Sequence, residues 1–270
     1  MSSPFDFFIG PCVLESEDLA MEVAGTLKED LKEFFPRITL TFKGSFDKAN
    51  RTSIHSYRGP GIERGLAILE KIKKDFALPV VTDFHVPDQA EMVASVVDTL
   101  QIPAFLCRQT DMIIAGAEAC KKYGRQLKIK KGQFLSPEET ENIVEKASYF
   151  LAKNRILLTE RGTSFGYNNL IVDMASFAVM KSFGVRTIHD ATHCVQQPGG
   201  LGHATGGKRE HIPFLAKAAV AAGADGIFLE AHPSPEKSLS DASTSYPLNG
   251  VKDLVRSLLK IREASDDDGR

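Results

Sequence analysis

Apolar residues recur along this chain in two rhythms that take turns. Short runs rich in β-branched and aromatic residues occupy positions 5–10, 37–42, 78–83, 99–106, 126–130, 155–160, 185–190 and 223–230. Between them lie stretches with apolar positions near i, i+3, i+4 and i+7, such as 19–34, 61–75, 138–152 and 212–222, with a last one at 251–263. The first rhythm predicts buried strands and the second amphipathic helices. Ser136-Pro-Glu-Glu139 adds a helix start, with a capping serine, a proline in the first turn and acids after it. Eight strand-then-helix alternations in 270 residues predict an α/β fold in one domain, a closed (β/α)8 TIM barrel over residues 1–264. Residues 265–270 read as a short disordered acidic tail. The alternative topology is an open, doubly wound sheet.

The polar residues matter most where each run stops. Run one leads into Cys12, run two into Lys43, run three into Asp83 and His85, and run four into Arg108. Lys130, Glu160 with Arg161, Asp190 with His193, and Glu230 with His232 end the other four. In a barrel these C-terminal strand ends converge on one mouth, so chemistry-bearing residues at all eight predict an enzyme. After run two, Lys43, Lys48, Asn50, Arg51 and Thr52 follow within a few residues. In isolation such a stretch is a solvated loop; at a barrel mouth it is a place to meet phosphate or carboxylate oxygens.

Composition narrows the ligand. A net charge of -2 and a sequence pI near 6.4 argue against a general nucleic-acid binder, so the basic cluster must serve a small anion. Lys43, Lys48, Arg51, Arg108, Lys130 and Arg161 are too many cations to leave unpaired beside an apolar core, and a phosphorylated substrate would offset them. Cys12, His193 and Glu230 fall on strands one, seven and eight, which become neighbours when a barrel closes. With Asp241 they could hold a divalent metal; a buried inert thiol and an acid–base histidine are the other reading. The glycine-rich stretch from Gly199 to Gly207 has GxGxxxG spacing, which suits a mobile lid better than a dinucleotide loop. Cys107 and Cys120 read as packing residues. The four cysteines lack CxxC spacing, and the apolar start has no preceding basic residue. Reduced thiols, a cytoplasmic protein, no signal peptide and no membrane span are the expectations.

Several segments are similar to one family. Phe42-Lys-Gly-Ser-Phe-Asp-Lys-Ala-Asn-Arg-Thr-Ser53 resembles the KASFDKANRSS segment of 3-deoxy-D-manno-octulosonate 8-phosphate synthases. Pro103-Ala-Phe-Leu-Cys-Arg-Gln-Thr-Asp111, Lys130-Lys-Gly-Gln-Phe134, Glu160-Arg-Gly162, Phe165-Gly-Tyr-Asn-Asn169, Asp190-Ala-Thr-His193 and Glu230-Ala-His-Pro233 resemble further segments of it. The resemblance implies a (β/α)8 homotetramer that condenses phosphoenolpyruvate with D-arabinose 5-phosphate for lipopolysaccharide synthesis and uses no organic cofactor. It implies that Lys43 and Lys48 hold the phosphoenolpyruvate carboxylate, while Arg108, Lys130, Arg161 and the Ala104 backbone surround its phosphate. Asn50 would contact the aldose near its aldehyde, with Asp83 and Gln196 along the same substrate. Arg51 and Thr52 from a neighbouring subunit would grip the sugar phosphate. The catalytic set implied is Lys43, Lys48, Asn50, Asp83 and His193.

The family has a metal-dependent branch with Cys in its first-strand GPC motif and a metal-independent branch with Asn there. Gly10-Pro-Cys12 and Ser240-Asp-Ala242 resemble the first, implying Zn, Fe, Mn or a similar divalent ion on Cys12, His193, Glu230 and Asp241. Gly44, Thr52 and Val86 depart from the usual pattern; nothing in the sequence explains Val86. Rival readings are the sister condensation with erythrose 4-phosphate, a sialic-acid-type synthase, and a catalytically silent barrel.

Overall fold

The computed structural model of the protein describes residues 3–199 and 206–268. Eight strands form the barrel: β1 (Phe5–Gly10), β2 (Ile38–Lys43), β3 (Val80–Asp83), β4 (Thr99–Ile102), β5 (Gln126–Lys130), β6 (Ile156–Glu160), β7 (Arg186–Asp190) and β8 (Gly226–His232). Each pairs in parallel with the next, and β8 returns to β1 from Asp6↔Gly226 to Gly10↔Glu230, so the sheet has no free edge. The helices that follow the strands are α1 (Glu17–Leu31), α2 (Ile62–Phe76), α3 (Gln89–Val96), α4 (Thr110–Tyr123), α5 (Glu141–Ser148), α6 (Ser176–Ser182), α7 (Ile212–Ala221) and α8 (Val251–Asp268). The closed barrel is the predicted one.

Strand parity decides which residues can reach the mouth, because neighbouring side chains point to opposite faces. On β1, Phe5, Phe7 and Ile9 pack outward in the large core under the helices. Phe8 points inward and meets Val81, Leu157, Ile188 and Phe228 in a small apolar cluster inside the barrel. Counting in twos from these residues brings Asp83, Arg161, Asp190 and Glu230 to the upper interior, and Lys43 and Lys130 join them because their neighbours Phe42 and Ile129 pack outward. Gly10 closes the join between β1 and β2: a Cβ there would lie 2.0 Å from the Lys43 carbonyl oxygen, so only glycine lets the strands approach this closely.

Local differences from the sequence reading have local causes. The strand expected over 99–106 stops at Ile102 and a 3₁₀ turn takes over at Ala104–Leu106, since Pro103 offers no N–H to continue the ladder. β3 begins two residues late for the same reason, after Pro79. Ser136 and Glu139 do form a reciprocal cap, the Ser136 N–H donating to Glu139 Oε2 (2.8 Å) and the Glu139 N–H to Ser136 Oγ (3.4 Å). α8 runs to Asp268 rather than 263, so much of the stretch read as a loose tail continues the helix. Its Ser265 hydroxyl donates to the Ile261 carbonyl (3.0 Å) within the helix. Among the described residues no helix is long and apolar enough to cross a membrane.

Candidate active site

A cavity of about 710 Å³ opens at the C-terminal end of the barrel, lined by residues from every strand end except that of β1. Lys43, Lys48, Asn50, Arg51, Thr52, Asp83, Ala104, Lys130, Arg161, His193, Gln196, Glu230 and Asp241 all face it. Arg108 does not: it is exposed on the turn leading into α4. Arg51 and Thr52, expected to act across an interface, line the cavity of their own chain, and Arg51 donates to Ser240 Oγ and to the Leu239 carbonyl. The glycine-rich lid expected over 199–207 lies largely at 200–205, outside the described residues.

One wall gathers the residues expected to hold a metal. Cys12 Sγ lies 3.1 Å from Ser240 Oγ and 3.2 Å from Asp241 Oδ2. Donor atoms of Cys12, Glu230 and Asp241 fall within 4.8 Å of one another. His193 Nε2 stands 3.6 Å from Glu230 Oε2 and 3.6 Å from Asp241 Oδ2. Asp241 is placed by a left-handed backbone, φ 50°, a conformation that aspartate tolerates better than most residues. Among the described residues the buried Glu230 Oε2 has no hydrogen-bond partner, which is costly unless something positive meets it. Burial pushes the Cys12 thiol well above its usual pKa, and Asp241 and Glu230 push it further. A thiol so placed ionises readily only with a cation at hand. One soft, one borderline and two hard donors, an orphaned carboxylate oxygen and a thiol short of positive charge fit a divalent ion.

Behind this wall a second set of contacts orients the first. Asp190, fully buried, takes the His193 backbone N–H (2.9 Å) and lies 2.9 and 3.0 Å from His193 Nδ1 through its two oxygens. With Nδ1–H held there, Nε2 keeps its lone pair facing Glu230 and Asp241. The same carboxylate takes the Lys130 ammonium at 2.7 Å. Thr192 Oγ1 accepts the Glu230 backbone N–H (2.7 Å), and Lys43 meets Glu230 Oε1 at 2.6 Å while donating to the Cys12 carbonyl at 2.5 Å. Burial opposes the charged Glu230 carboxylate, but Lys43, His193 and Lys48 outweigh this and bring its pKa down to about 2. On the opposite side Ser45 Oγ donates to Asp83 Oδ1 (2.6 Å), with His85 at 3.5 Å. Sequence reasoning did not single out Ser45 or Thr192.

The cations at the mouth are set for anions. Burial opposes the Lys48 ammonium, yet the acidic groups around it, the Cys12 thiol when ionised and then Glu230, Asp83 and Asp241, raise its pKa well above the usual lysine value. Arg161 donates to Gln196 Oε1 (2.8 Å), and its Nη1, like the Nε of Arg51, is buried without a hydrogen-bond partner among the described residues. Two strand-end residues leave the site. Glu160 is out of phase with Arg161, points away from the cavity, and lies 3.4 Å from Lys131. His232 faces Glu15 at 3.6 Å.

The sequence pattern of the DAHP synthetase I family matches residues 2–264. The chain is similar to the 2-dehydro-3-deoxyphosphooctonate aldolase of Nitratidesulfovibrio vulgaris strain DP4, 53% identical over 249 residues, 92% of this chain and 89% of the relative. It is 51% identical over 257 residues to the protein of that name from Francisella tularensis subsp. holarctica, covering 95% and 90% of the two chains. The one from Albidiferax ferrireducens is 48% identical over 274 residues, covering 100% of this chain and 94% of the relative.

Proposed function

The chain belongs to the DAHP synthetase I family, alongside the 2-dehydro-3-deoxyphosphooctonate aldolases, and we propose that it condenses phosphoenolpyruvate with D-arabinose 5-phosphate and water. The products are 3-deoxy-D-manno-octulosonate 8-phosphate and inorganic phosphate, a step of lipopolysaccharide synthesis. The observation that carries this reading is a cation-lined cavity that meets the Cys12, His193, Glu230 and Asp241 cluster, of which all but the buried Cys12 line it. A three-carbon substrate that carries both a carboxylate and a phosphate suits the first, and an aldehyde suits the second.

Lys43 and Lys48 take the phosphoenolpyruvate carboxylate. Lys130, Arg161 and the Ala104 backbone surround its phosphate, joined by Arg108 if that exposed side chain turns inward on binding. Asn50 meets the aldose near its aldehyde, Asp83 and Gln196 lie along it, and Arg51 with Thr52 grips its phosphate. The enol carbon attacks the aldehyde, water adds at the neighbouring carbon, and phosphate leaves with C–O cleavage. Charge developing on the aldehyde oxygen and the departing phosphate then falls among preset cations, where electrostatic stabilisation is strong. A divalent ion on Cys12, His193, Glu230 and Asp241 supplies Lewis-acid polarisation of the aldehyde when bound. His193, held by Asp190 at Nδ1, contributes its Nε2 to that set. The assembly is a homo-oligomer, a tetramer by family resemblance. Exposed Phe105, Phe134, Phe165 and Tyr167 on the loops that follow β4, β5 and β6 support a covered face there. A cytoplasmic location fits substrates that carry phosphate.

Aldose choice is the test. Phosphate release from phosphoenolpyruvate is measured with arabinose 5-phosphate and with erythrose 4-phosphate, with and without chelator. Asn50 supplies an amide for an additional hydroxyl, and a site built to bond a hydroxyl rejects an analogue lacking it. Arabinose 5-phosphate should be clearly preferred and chelator should stop turnover. Equal or faster turnover with erythrose 4-phosphate sinks the assignment.

A further inference from the structure

Phe228 is fully buried and belongs to the apolar cluster inside the barrel, yet hydrocarbon is not all that surrounds its ring. The Lys130 ammonium stands 3.9 Å from the ring centroid, that of Lys128 4.7 Å and that of Lys43 5.5 Å. The His193 ring tilts against it at 5.8 Å. An ammonium within about 6 Å of an aromatic face is drawn to the negative potential of that face, more strongly where water is excluded.

These lysines differ in what else holds them. Lys43 has Glu230 and Lys130 has Asp190. Among the described residues Lys128 bonds only to Gln101 Oε1 (3.0 Å), and it lies 5.5 Å from the Phe8 ring. Burial, with Lys130 and Lys43 close by, pushes the Lys128 pKa well below the usual value. Burial also lowers the Lys130 pKa, against the pull of Asp190 and Glu230. The ring is thus an uncharged partner that Lys130 and Lys43, two of the lysines facing the cavity, share. An aliphatic side chain would satisfy the apolar cluster equally well and would give them no face to rest on.

We propose that Phe228 is a positioning residue for the condensation, its ring face setting the ammonium groups of Lys130 and Lys43 where they meet the phosphate and carboxylate of phosphoenolpyruvate. This rests on the function proposed above. The distances order the effect: Lys130 leans on the ring most closely, so the phosphate end depends on it most. The cations found over the ring do not include Arg51, which is assigned to the aldose phosphate, so binding of arabinose 5-phosphate is independent of the ring.

Phenylalanines carrying one, two and three ring fluorines at position 228 keep the shape nearly constant while draining the face of negative potential. In the metal-loaded enzyme KM for phosphoenolpyruvate should rise stepwise along the series, by about 2- to 30-fold at its end, the range expected for a cation–π contact of this kind. KM for arabinose 5-phosphate and the thermal midpoint should stay constant. Phe228→Leu should raise KM for phosphoenolpyruvate at least as far, and restoring phenylalanine at 228 should reverse it. A KM for phosphoenolpyruvate that is flat across the fluorinated series, in folded and active protein, overturns the role. If the unsubstituted protein does not turn these substrates over, the functional reading fails instead. Inorganic phosphate binding, followed by calorimetry, then tests the ring, and an affinity unchanged along the series rejects it.

Discussion

Replacing Asp190 by Asn keeps the shape of the residue and removes one charge from beneath the site. In the wild-type protein that carboxylate is fully buried and serves two groups, the Lys130 ammonium at 2.7 Å and His193 Nδ1 at 2.9 Å. The variant leaves the buried ammonium without its counter-ion, a loss of about 3–5 kcal/mol for one partner of a buried pair. Lys130 retains a little exposure to the cavity, 8%, so the lower end, about 3 kcal/mol, is expected. In a chain of this size that lowers the thermal midpoint by about 6–12 °C. The second consequence is separate. An amide can donate as well as accept, so His193 no longer has its proton fixed on Nδ1, and Nε2 is no longer dedicated to the metal wall. Loss of such an orienting partner weakens metal binding by about 10- to 100-fold. Denaturant titration of metal-free protein reads the first effect, and competition for zinc against a chelator of known affinity reads the second. His193→Ala serves as control, since it should lose zinc while leaving the lysine–aspartate pair in place. An Asp190→Asn variant that is less stable but holds zinc with unchanged affinity would refute the orienting role.

Three further perturbations probe other parts of the site. Cys12→Ser should bind zinc weakly and lose activity, whereas Cys12→Asn should retain measurable phosphate release in chelator, since the metal-independent branch carries Asn there; an Asn variant without activity contradicts this. Arg51→Ala should raise KM for arabinose 5-phosphate far more than KM for phosphoenolpyruvate, because a charged contact to phosphate is removed; equal changes in the two place Arg51 elsewhere. His189 is fully buried against Phe177, and burial depresses its pKa to about 4. With the folded pKa below the unfolded value of about 6.5, only the unfolded chain gains a proton between pH ~6.5 and ~4. Stability is therefore lost across that window as pH falls, on the order of 3 kcal/mol in all. His189→Leu should flatten this slope of the denaturant midpoint; an identical slope shows that other groups cause it.

The fold was legible because β and α periods alternate without a break, and each strand needs only a few residues to declare itself. Two of the boundaries that slipped did so at Pro79 and Pro103, where a missing N–H outweighs apolar content. The site was legible for a related reason. Barrel strands deliver their last residues to one place, so a polar strand end can be interpreted without knowing its neighbours. Contacts that depend on partners distant in the chain could not be read this way. Ser45 with Asp83, Thr192 with the Glu230 backbone, and Arg51 with Ser240 join residues 38 or more apart in sequence.

Strand parity marks the point where strand ends stop being equivalent, and it was available from the sequence. Within β6, Leu157 points into the barrel and Ile156 and Leu158 point out. Glu160 then shares the outward phase with Leu158 and must find a partner outside the mouth, which Lys131 provides. Arg161, one residue on, returns to the inward phase and reaches the cavity. The same count on β5 puts Lys128 directly beneath Lys130, and on β8 it puts Phe228 beneath Glu230. A lysine one step below Lys130, a candidate for binding the substrate phosphate, and an aromatic one step below Glu230, a candidate metal ligand, are therefore readable as a pair before any coordinates exist. What the alternation cannot supply is the distance between them across the barrel. That distance depends on how far the strands tilt and stagger as the sheet closes, and it determines whether the ring merely fills space or holds the cations in place.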